Sequence, residues 1–457
     1  MSRAQRKEFR VQMSNVVVSK KPRSALPGTV TLTMGSVLQR TSSLVLIRII
    51  LDWVYVAYTV PNHAWQYHFA YHSSFDMYIG SWVMLALTIP LVLLYENSRL
   101  SSLVIVSLYA VSFVPTTTII AYQGVDTGFA VTFLVYWIVF LIAGIAVPQH
   151  IGSVRGERTP RSHVLGKWHI AILSAVLFVV SVFINYRYTG FSVTLDLSSA
   201  YDLRERAAEA NMPGILQLLF HMAKTCIPIL IIYYLSVRKR AVAVLLCLAQ
   251  VLLFSMDGGK SSLFSLVIAL VLFFVFKKIS IELILWCIAG FLLVSVLELQ
   301  FIGTDNLLNY GTRRLFFVPS ILNYDYFTFF SVNPIDFYRQ SLFSKVGWGS
   351  YYPMPISNVI GLNCLGDSSI YANNGLYADA FANLGYAGML IMPIVVVAFL
   401  RFIDYCSRGL GVALASPLFV GAAFTLFSSS FFTVLITHGL LFNCVVAYLL
   451  PRDSDIK

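Results

Sequence analysis

Apolar segments of helix length follow one another through most of this chain, and they limit its fold more than any other feature. The sequence has 457 residues, of which 58% are hydrophobic and only 12% are charged. A soluble globular chain has about 25% charged residues, so this one has too little charge to cover a water-facing surface. The sequence therefore predicts an all-α polytopic membrane protein.

The apolar runs predict about 12 transmembrane helices, because about 20 apolar residues are needed to cross a bilayer. Residues 43–450 form a single transmembrane domain between two polar cytoplasmic tails, 1–42 and 451–457. The predicted spans are 43–60, 77–95, 101–122, 129–147, 168–186, 214–235, two short runs within 241–276, 281–299, 388–402, 416–431 and 433–450.

One long polar interruption, at 300–387, separates the ninth predicted span from the tenth. It contains 19 Phe, Tyr and Trp side chains together with several arginines and aspartates. A loop of this length in a compact protein is usually functional. We therefore predict that the other segments form a frame that holds this loop at one membrane face.

The basic residues predict the orientation of the chain. Its formal net charge is +11, and Lys and Arg accumulate in cytoplasmic loops. This rule places both termini in the cytoplasm and the long loop outside. Nine cations then remain at or near the outer side, which suggests an anionic ligand: Arg187, Arg204, Arg206, Lys224, Lys260, Arg313, Arg314, Arg339 and Lys345.

Two motifs contain cations of this outer group. In FSMDGGKSS, two glycines precede Lys260, and such a turn before a helix is able to bind phosphate through backbone N–H groups. The alternative is a lysine that only extends its ammonium to the interface. RRLFFVP contains Arg313 and Arg314, whose guanidinium groups match phosphate oxygens or anchor the loop to lipid headgroups.

A third motif, YANNGLYADAFANLGYAGM, begins at Tyr371 and continues into the tenth span. Asn373 and Asn374 favour a turn, and from Leu376 the pattern is helical, with Asp379 one turn before Asn383. Amide and carboxylate groups beside tyrosines are typical of a sugar-binding surface. The predicted sugar-binding residues are Asn373, Asn374, Tyr377 and Tyr324.

Other polar residues have simpler explanations. Arg48 and Asp52 lie four residues apart in the first span and predict an ion pair on one helical face. His63, His68 and His72 have irregular spacing that does not indicate a metal site. Five of the six cysteines are scattered among apolar spans, which argues against a disulfide framework or a zinc site.

Four segments together resemble Wzy-type oligosaccharide repeat-unit polymerases of bacterial surface polysaccharide pathways, such as those of O-antigen and capsule. They are YDLRERAAEANMP (201–213), LLFSMDGGKSSLFS (252–265), RRLFFVPSILNYDYFTFFSVNP (313–334) and ANNGLYADAFANLGYAG (372–388). The resemblance covers about residues 190–400. It implies an architecture similar to membrane glycosyltransferases that use polyprenyl-phosphate donors.

The resemblance also implies a reaction at the periplasmic face of the inner membrane. A glycan on undecaprenyl pyrophosphate is transferred to a new lipid-linked repeat unit, and undecaprenyl pyrophosphate leaves. The implied partners are the lipid-linked donor and acceptor, membrane lipids and a chain-length regulator. We expect no cofactor, metal, nucleotide sugar or nucleic-acid partner.

This chemistry assigns roles to the polar residues. A pyrophosphate leaving group needs cations to stabilise developing charge, and an acceptor hydroxyl is able to use a general base. We predict Arg313, Arg314, Asp379 and Asp336 as catalytic residues, with His438 and Glu298 as further acid–base candidates. The predicted phosphate-binding residues are Lys260, Arg204 and Arg339.

Two other functions stay open on the sequence alone. An O-antigen ligase uses the same donor but transfers the glycan to lipid A core. A flippase or transporter of lipid-linked sugars often shows internal repeats and charges spread through many spans. We find no repeat between the two halves, and the polar residues gather at one face, which favours an enzyme.

Overall fold

The computed structural model describes residues 33–147, 167–191, 193–194, 203, 212–275, 279–341 and 347–452, and within these ranges it is helical without strands. In chain order the helices are α1 (Met34–Tyr67), α2 (Phe75–Leu93), α3 (Leu100–Tyr122), α4 (Thr127–Ala146), α5 (Lys167–Thr189), α6 (Gly214–Ser236), α7 (Arg240–Asp257), α8 (Lys260–Val275), α9 (Ile281–Ile302), α10 (307–330), α11 (Ile356–Leu365), α12 (Tyr377–Cys406), α13 (Val412–Thr425), α14 (Phe431–Ile436) and α15 (Leu440–Leu449).

The described residues include ten helical segments that are long and apolar enough to cross a membrane. They are α1 to α7, α9, α12 and the pair α14–α15. Two further predicted spans correspond to the shorter apolar helices α8 and α13. The fold is therefore that of a multi-pass membrane protein, and the count of 12 spans stays a prediction.

Short polar residues begin several of these helices. The side chains of Ser74, Asp126 and Ser280 accept hydrogen bonds from backbone N–H groups in the first turns of α2, α4 and α9. Such caps satisfy donors that have no partner inside the helix. Local sequence thus sets where these spans start.

Contacts between helix ends define two ends of the bundle. At the basic end, the Arg40 guanidinium binds Glu282 at 2.7 Å, and Asn97 accepts a hydrogen bond of 2.7 Å from the Ile281 N–H. At the opposite, loop-bearing end, the Tyr58 hydroxyl donates to Asp305 at 2.5 Å. The polar segment between α9 and α12 lies at this second end.

The predicted ion pair in the first span is present. Arg48 binds Asp52 with an Nε to Oδ1 distance of 2.6 Å, and its other nitrogens donate to Thr117 and Ser81 at 2.7 and 2.9 Å. Arg48 is fully buried. A charged group inside a bundle needs such partners, so the pair joins α1 to α2 and α3 and has a structural explanation.

The segment predicted as one long loop contains two complete helices, α10 and α11, and the start of α12. α10 buries apolar side chains such as Phe317 and Ile321, and its Asn323 donates to Thr116 of α3 at 3.3 Å. The segment is polar enough to interrupt the apolar pattern, yet apolar enough to pack on the bundle. It therefore forms part of the core at the loop-bearing end.

Candidate functional site

A sharp chain reversal at the start of α12 positions the first carboxylate of the site. Gly385 has φ +56° and ψ −139°, a conformation that few residues other than glycine adopt. A Cβ on Gly388 would collide with the carbonyl oxygen of Ala380. The residues before and after Gly385 therefore lie side by side, and the first part of α12 folds back as a short helix that includes Asp379.

Three donors hold the carboxylate of Asp379, which is 4% exposed. Asn383 Nδ2 donates to Oδ1 at 3.0 Å, while the Phe431 N–H and the Tyr338 hydroxyl donate to Oδ2 at 2.9 and 3.4 Å. Burial and the Asp379 charge raise the pKa of the Tyr338 hydroxyl. Tyr338 therefore stays a protonated donor, and the carboxylate has a fixed orientation.

The second carboxylate, Asp336, is fully buried beside this short helix. Its N–H donates to the Ala382 carbonyl at 2.9 Å. Its two oxygens accept hydrogen bonds from the Gln340 N–H at 2.9 Å and the Ser350 hydroxyl at 2.5 Å. Asp336 thus connects the C-terminal end of the short helix to the segment before α11.

The two carboxylates line one cavity of about 200 Å³ at the loop-bearing end. One water takes about 30 Å³ in the liquid, so the cavity has room for several waters or a group the size of a sugar ring. Most of its lining residues have polar side chains, and they come from five parts of the chain: Tyr326, Asp336, Gln340, Ser341, Pro355, Ile356, Ser357, Asn373, Asn374, Asp379, Ala382, Asn383, Ser429, Ser430 and Thr433.

Four of the predicted site residues meet in this cavity: Asp336, Asp379, Asn373 and Asn374. Asn374 is buried and donates to the Pro319 carbonyl at 2.8 Å and to Asn323 at 3.0 Å. Asn373 is exposed. The two asparagines therefore differ, since Asn374 shapes the wall while Asn373 is accessible to a ligand.

The two predicted sugar-binding tyrosines lie outside the cavity lining. Tyr377 is fully buried, its hydroxyl is 2.8 Å from Thr132 Oγ1, and its ring packs edge-on against Phe133. Tyr324 packs on Phe129 with ring centroids 5.3 Å apart. The burial of Tyr377 conflicts with a direct sugar contact, because it anchors α12 to α4 through an aromatic core that the sequence pattern does not reveal.

The predicted arginines are also absent from the cavity lining. Arg313 is 3% exposed and donates to Gln66 and Asn309, each at 2.7 Å. Arg314 is exposed and lies over the Tyr310 ring, and Arg339 lies 4.1 Å from the centroid of the Tyr351 ring. Arg313 therefore has a structural role in this conformation, while Arg314 is exposed and Arg339 is half-buried against Tyr351.

The remaining predicted residues have varied positions. Arg204 lies outside the described residues, and Lys260 begins α8 with its side chain outside the description. Glu298 accepts from the Thr304 hydroxyl and the Leu307 N–H, each at 2.7 Å, so it closes the turn between α9 and α10. His438 Nε2 lies 2.9 Å from the Ser429 hydroxyl, which places it behind the cavity wall.

Sequence reasoning missed the hydroxyl and amide groups of the cavity, including Gln340, Ser429, Ser430 and Thr433. Gln340 accepts from the Ile356 N–H and donates to the Met354 carbonyl, each at 2.8 Å. Ser429 and Ser430 belong to SSSFFT, which the sequence suggests only as a weak break between spans. The polarity of that break was the one available signal.

The described part of the chain contains no group of three or more His, Cys, Asp or Glu side chains that could hold a metal ion. Comparison with protein families, curated proteins and solved structures found no match.

Proposed function

We propose that this protein is a membrane glycosyltransferase that polymerises undecaprenyl-pyrophosphate-linked oligosaccharide repeat units. The main support is the cavity at the loop-bearing end, where Asp336, Asp379, Asn373 and Asn374 come together. Carboxylates, amides and hydroxyls are donors and acceptors that suit sugar hydroxyls. A polar cavity of this kind among membrane helices is a functional-site signal, because polar groups inside a bundle are costly.

In the proposed reaction, the non-reducing-end sugar of one lipid-linked repeat unit occupies the cavity as acceptor. Its hydroxyl oxygen attacks the anomeric carbon of the glycan on a second lipid, and the bond from that carbon to the pyrophosphate oxygen breaks. Undecaprenyl pyrophosphate leaves with the bonding electron pair. Asp379 accepts the hydroxyl proton as general base, and Asp336 positions the acceptor through the Gln340 segment.

The proposal assigns the protein to the bacterial inner membrane, with both termini in the cytoplasm and the cavity facing the periplasm. The accumulation of Lys and Arg in the predicted cytoplasmic loops supports this orientation. A lipid-linked substrate reaches such a site from the membrane. A chain-length regulator is a further expected partner of a polymerase.

Reconstitution tests this function directly. Purified full-length protein in phospholipid vesicles receives a lipid-linked repeat unit, and the products are separated on a gel. A ladder of lengths is expected from a polymerase. A single transfer that requires lipid A core would identify a ligase, and the absence of any new glycosidic bond with either acceptor would overturn the glycosyltransferase assignment.

A further inference from the structure

A second polar cluster lies next to the cavity, on the other side of the Ser429–His438 contact. Ser429 belongs to the cavity wall, and His438 Nε2 lies 2.9 Å from its hydroxyl. The His438 carbonyl accepts a hydrogen bond of 3.0 Å from Thr225 of α6. The turn between α14 and α15 thus connects the cavity to α6.

The same part of α6 carries a cation. Lys224 and His221 lie three residues apart, so they share a helical face. Thr225, whose hydroxyl donates to the His438 carbonyl, directly follows Lys224 in the chain, so Lys224 lies close to the α14–α15 turn. Lys224 Nζ binds Asp257 Oδ2 at 2.5 Å, and its side chain is 13% exposed.

The turn that follows Asp257 leaves space for this ammonium. A Cβ on Gly259 would collide with Lys224 Nζ and would also lie 3.0 Å from Asp257 Oδ1. The ammonium has three N–H donors, and Asp257 accepts one of them. Among the described residues, the structure gives Nζ no second acceptor. Asp257 and the Phe220 ring, whose centroid lies 5.3 Å from Nζ, therefore position the ammonium.

We propose that Lys224, His221 and His438 form an anion subsite beside the cavity, and that it binds the phosphate groups of the lipid-linked substrate. This inference rests on the proposed function. Placing a charged lysine inside a membrane helix costs free energy. Binding a phosphate next to a sugar-sized cavity is a function that would account for Lys224 at this position. The ammonium and imidazole N–H groups donate to phosphate oxygens, while the attached sugar lies toward Asp379.

The arrangement also accounts for an unexpected property of the cavity. Arg313 and Arg314, predicted as catalytic, and Arg339, predicted to bind phosphate, do not line it. Of the groups beside the cavity wall, His438 contacts Ser429, and its carbonyl accepts a hydrogen bond from Thr225, the residue that follows Lys224 in α6. The pyrophosphate of the substrate would thus lie on the α6 side of the site.

Binding of pyrophosphate to the purified full-length protein tests the subsite. The first probe is inorganic pyrophosphate, and the second is undecaprenyl pyrophosphate in phosphatidylethanolamine–phosphatidylglycerol nanodiscs. The double variant Lys224→Gln/Asp257→Asn removes both charges and so leaves no unpaired carboxylate. We expect it to weaken the binding of both probes by about tenfold or more, since charge-assisted hydrogen bonds are lost.

Two further variants make the outcome decisive. His438→Gln keeps a polar side chain at the turn and should weaken binding in the same direction, which covers the case in which the double variant does not fold. Lys239→Gln removes an exposed lysine at the basic end and should change nothing. Affinities within twofold of the unmodified protein for both subsite variants, or an equal loss with Lys239→Gln, would overturn the subsite.

The same assay separates the subsite from the polymerase function. Pyrophosphate binding that depends on Lys224, without any glycosidic bond formation, would support the subsite and contradict the proposed polymerase function. Normal ladder formation and normal pyrophosphate affinity in the folded variants would remove the subsite alone. Lys224-dependent binding of undecaprenyl pyrophosphate without binding of free pyrophosphate would support the subsite and show that it recognises the phosphate only when it is attached to the lipid.

Discussion

The carboxylate of Asp379 accepts a hydrogen bond of 2.9 Å from the backbone N–H of Phe431. This contact joins the folded-back start of α12 to the first residue of α14. Ser429 and Ser430, just before Phe431, line the same cavity as Asp379. This hydrogen bond, together with that from the Gly375 N–H to the Phe427 carbonyl at 3.1 Å, holds the two walls in their relative position.

Asp379→Asn should abolish most of the proposed activity. The amide cannot accept the proton of an acceptor hydroxyl, and general-base catalysis contributes about 100-fold or more. The rate of ladder formation with a lipid-linked repeat unit measures the effect. The tertiary contacts of Asp379 with Asn383 and Tyr338 also predict a modest loss in the thermal unfolding midpoint.

Asp367→Asn is the matched control for that variant. Asp367 is exposed, and among the described residues its carboxylate binds its own turn, through the Ser369 N–H at 2.7 Å and the Ser369 hydroxyl at 2.8 Å. We expect an unchanged rate. An unchanged rate in Asp379→Asn as well would remove Asp379 from the reaction.

The neighbouring asparagines should respond differently to alanine. Asn374→Ala leaves the Pro319 carbonyl and the Asn323 amide oxygen without a buried donor, which costs about 1–3 kcal/mol of unfolding free energy. Asn373 is exposed, so Asn373→Ala should change stability by about 0.5 kcal/mol or less while weakening substrate binding. Denaturation and substrate titration of both variants check this, and equal stability losses would contradict it.

Gly388→Ala should push the short helix that contains Asp379 away from the part of α12 that follows Gly385. Its new methyl group would collide with the Ala380 carbonyl, and overpacking typically costs about 1–3 kcal/mol. Because Ala380 follows Asp379, activity should fall together with the thermal midpoint. Gly290→Ala in α9 is the control, since no atom lies within 4 Å of its added Cβ; a similar loss there would contradict the packing argument.

The contact between His68 and Asp325 should make stability depend on pH. His68 Nε2 lies 3.0 Å from Asp325 Oδ1, and Asp325 is buried while His68 is 41% exposed. The hydrogen bond to Asp325 raises the pKa of His68. The folded protein therefore binds a proton at His68 more strongly than the unfolded chain does.

This sign means that the contribution of His68 to stability is complete below the unfolded pKa, about 6.5, and is lost as pH rises through the folded value. Burial raises the pKa of Asp325. The contribution of Asp325 to stability therefore also falls as pH rises, but this fall begins near pH 4. The thermal midpoint measured from pH 6 to 9 should therefore fall more steeply in the unmodified protein than in His68→Gln. Equal slopes would show that the pair does not titrate in this range.

The turn between the two short apolar runs is a feature that the local sequence predicts correctly. The glycines of MDGGKSS predict a tight connection, and α7 does end at Asp257 with α8 beginning at Lys260. Gly258 has φ +58°, as a glycine turn allows. Likewise, the spacing of Arg48 and Asp52 alone predicts their ion pair, because both lie on one helix.

The cavity could be predicted only in part, because its walls come from residues far apart in the chain. The motif at 371–389 identifies Asp379, Asn373 and Asn374 as polar groups. Nothing in it shows that Gly385 reverses the chain or that Phe431 donates to Asp379. Aromatic residues were also misleading, since Tyr377 belongs to a pattern shared by sugar sites and by buried cores.

By itself the sequence determined the helical membrane class, most span boundaries and the polar segments that contain the site. These follow from hydrophobic length, capping residues and glycine turns, which act over a few neighbouring residues. Only the tertiary structure decided which polar groups meet. It buried Arg313 against Gln66 and Asn309, and it placed Asp336 beside Asp379, because packing between distant helices sets which polar side chains share a cavity and which satisfy one another.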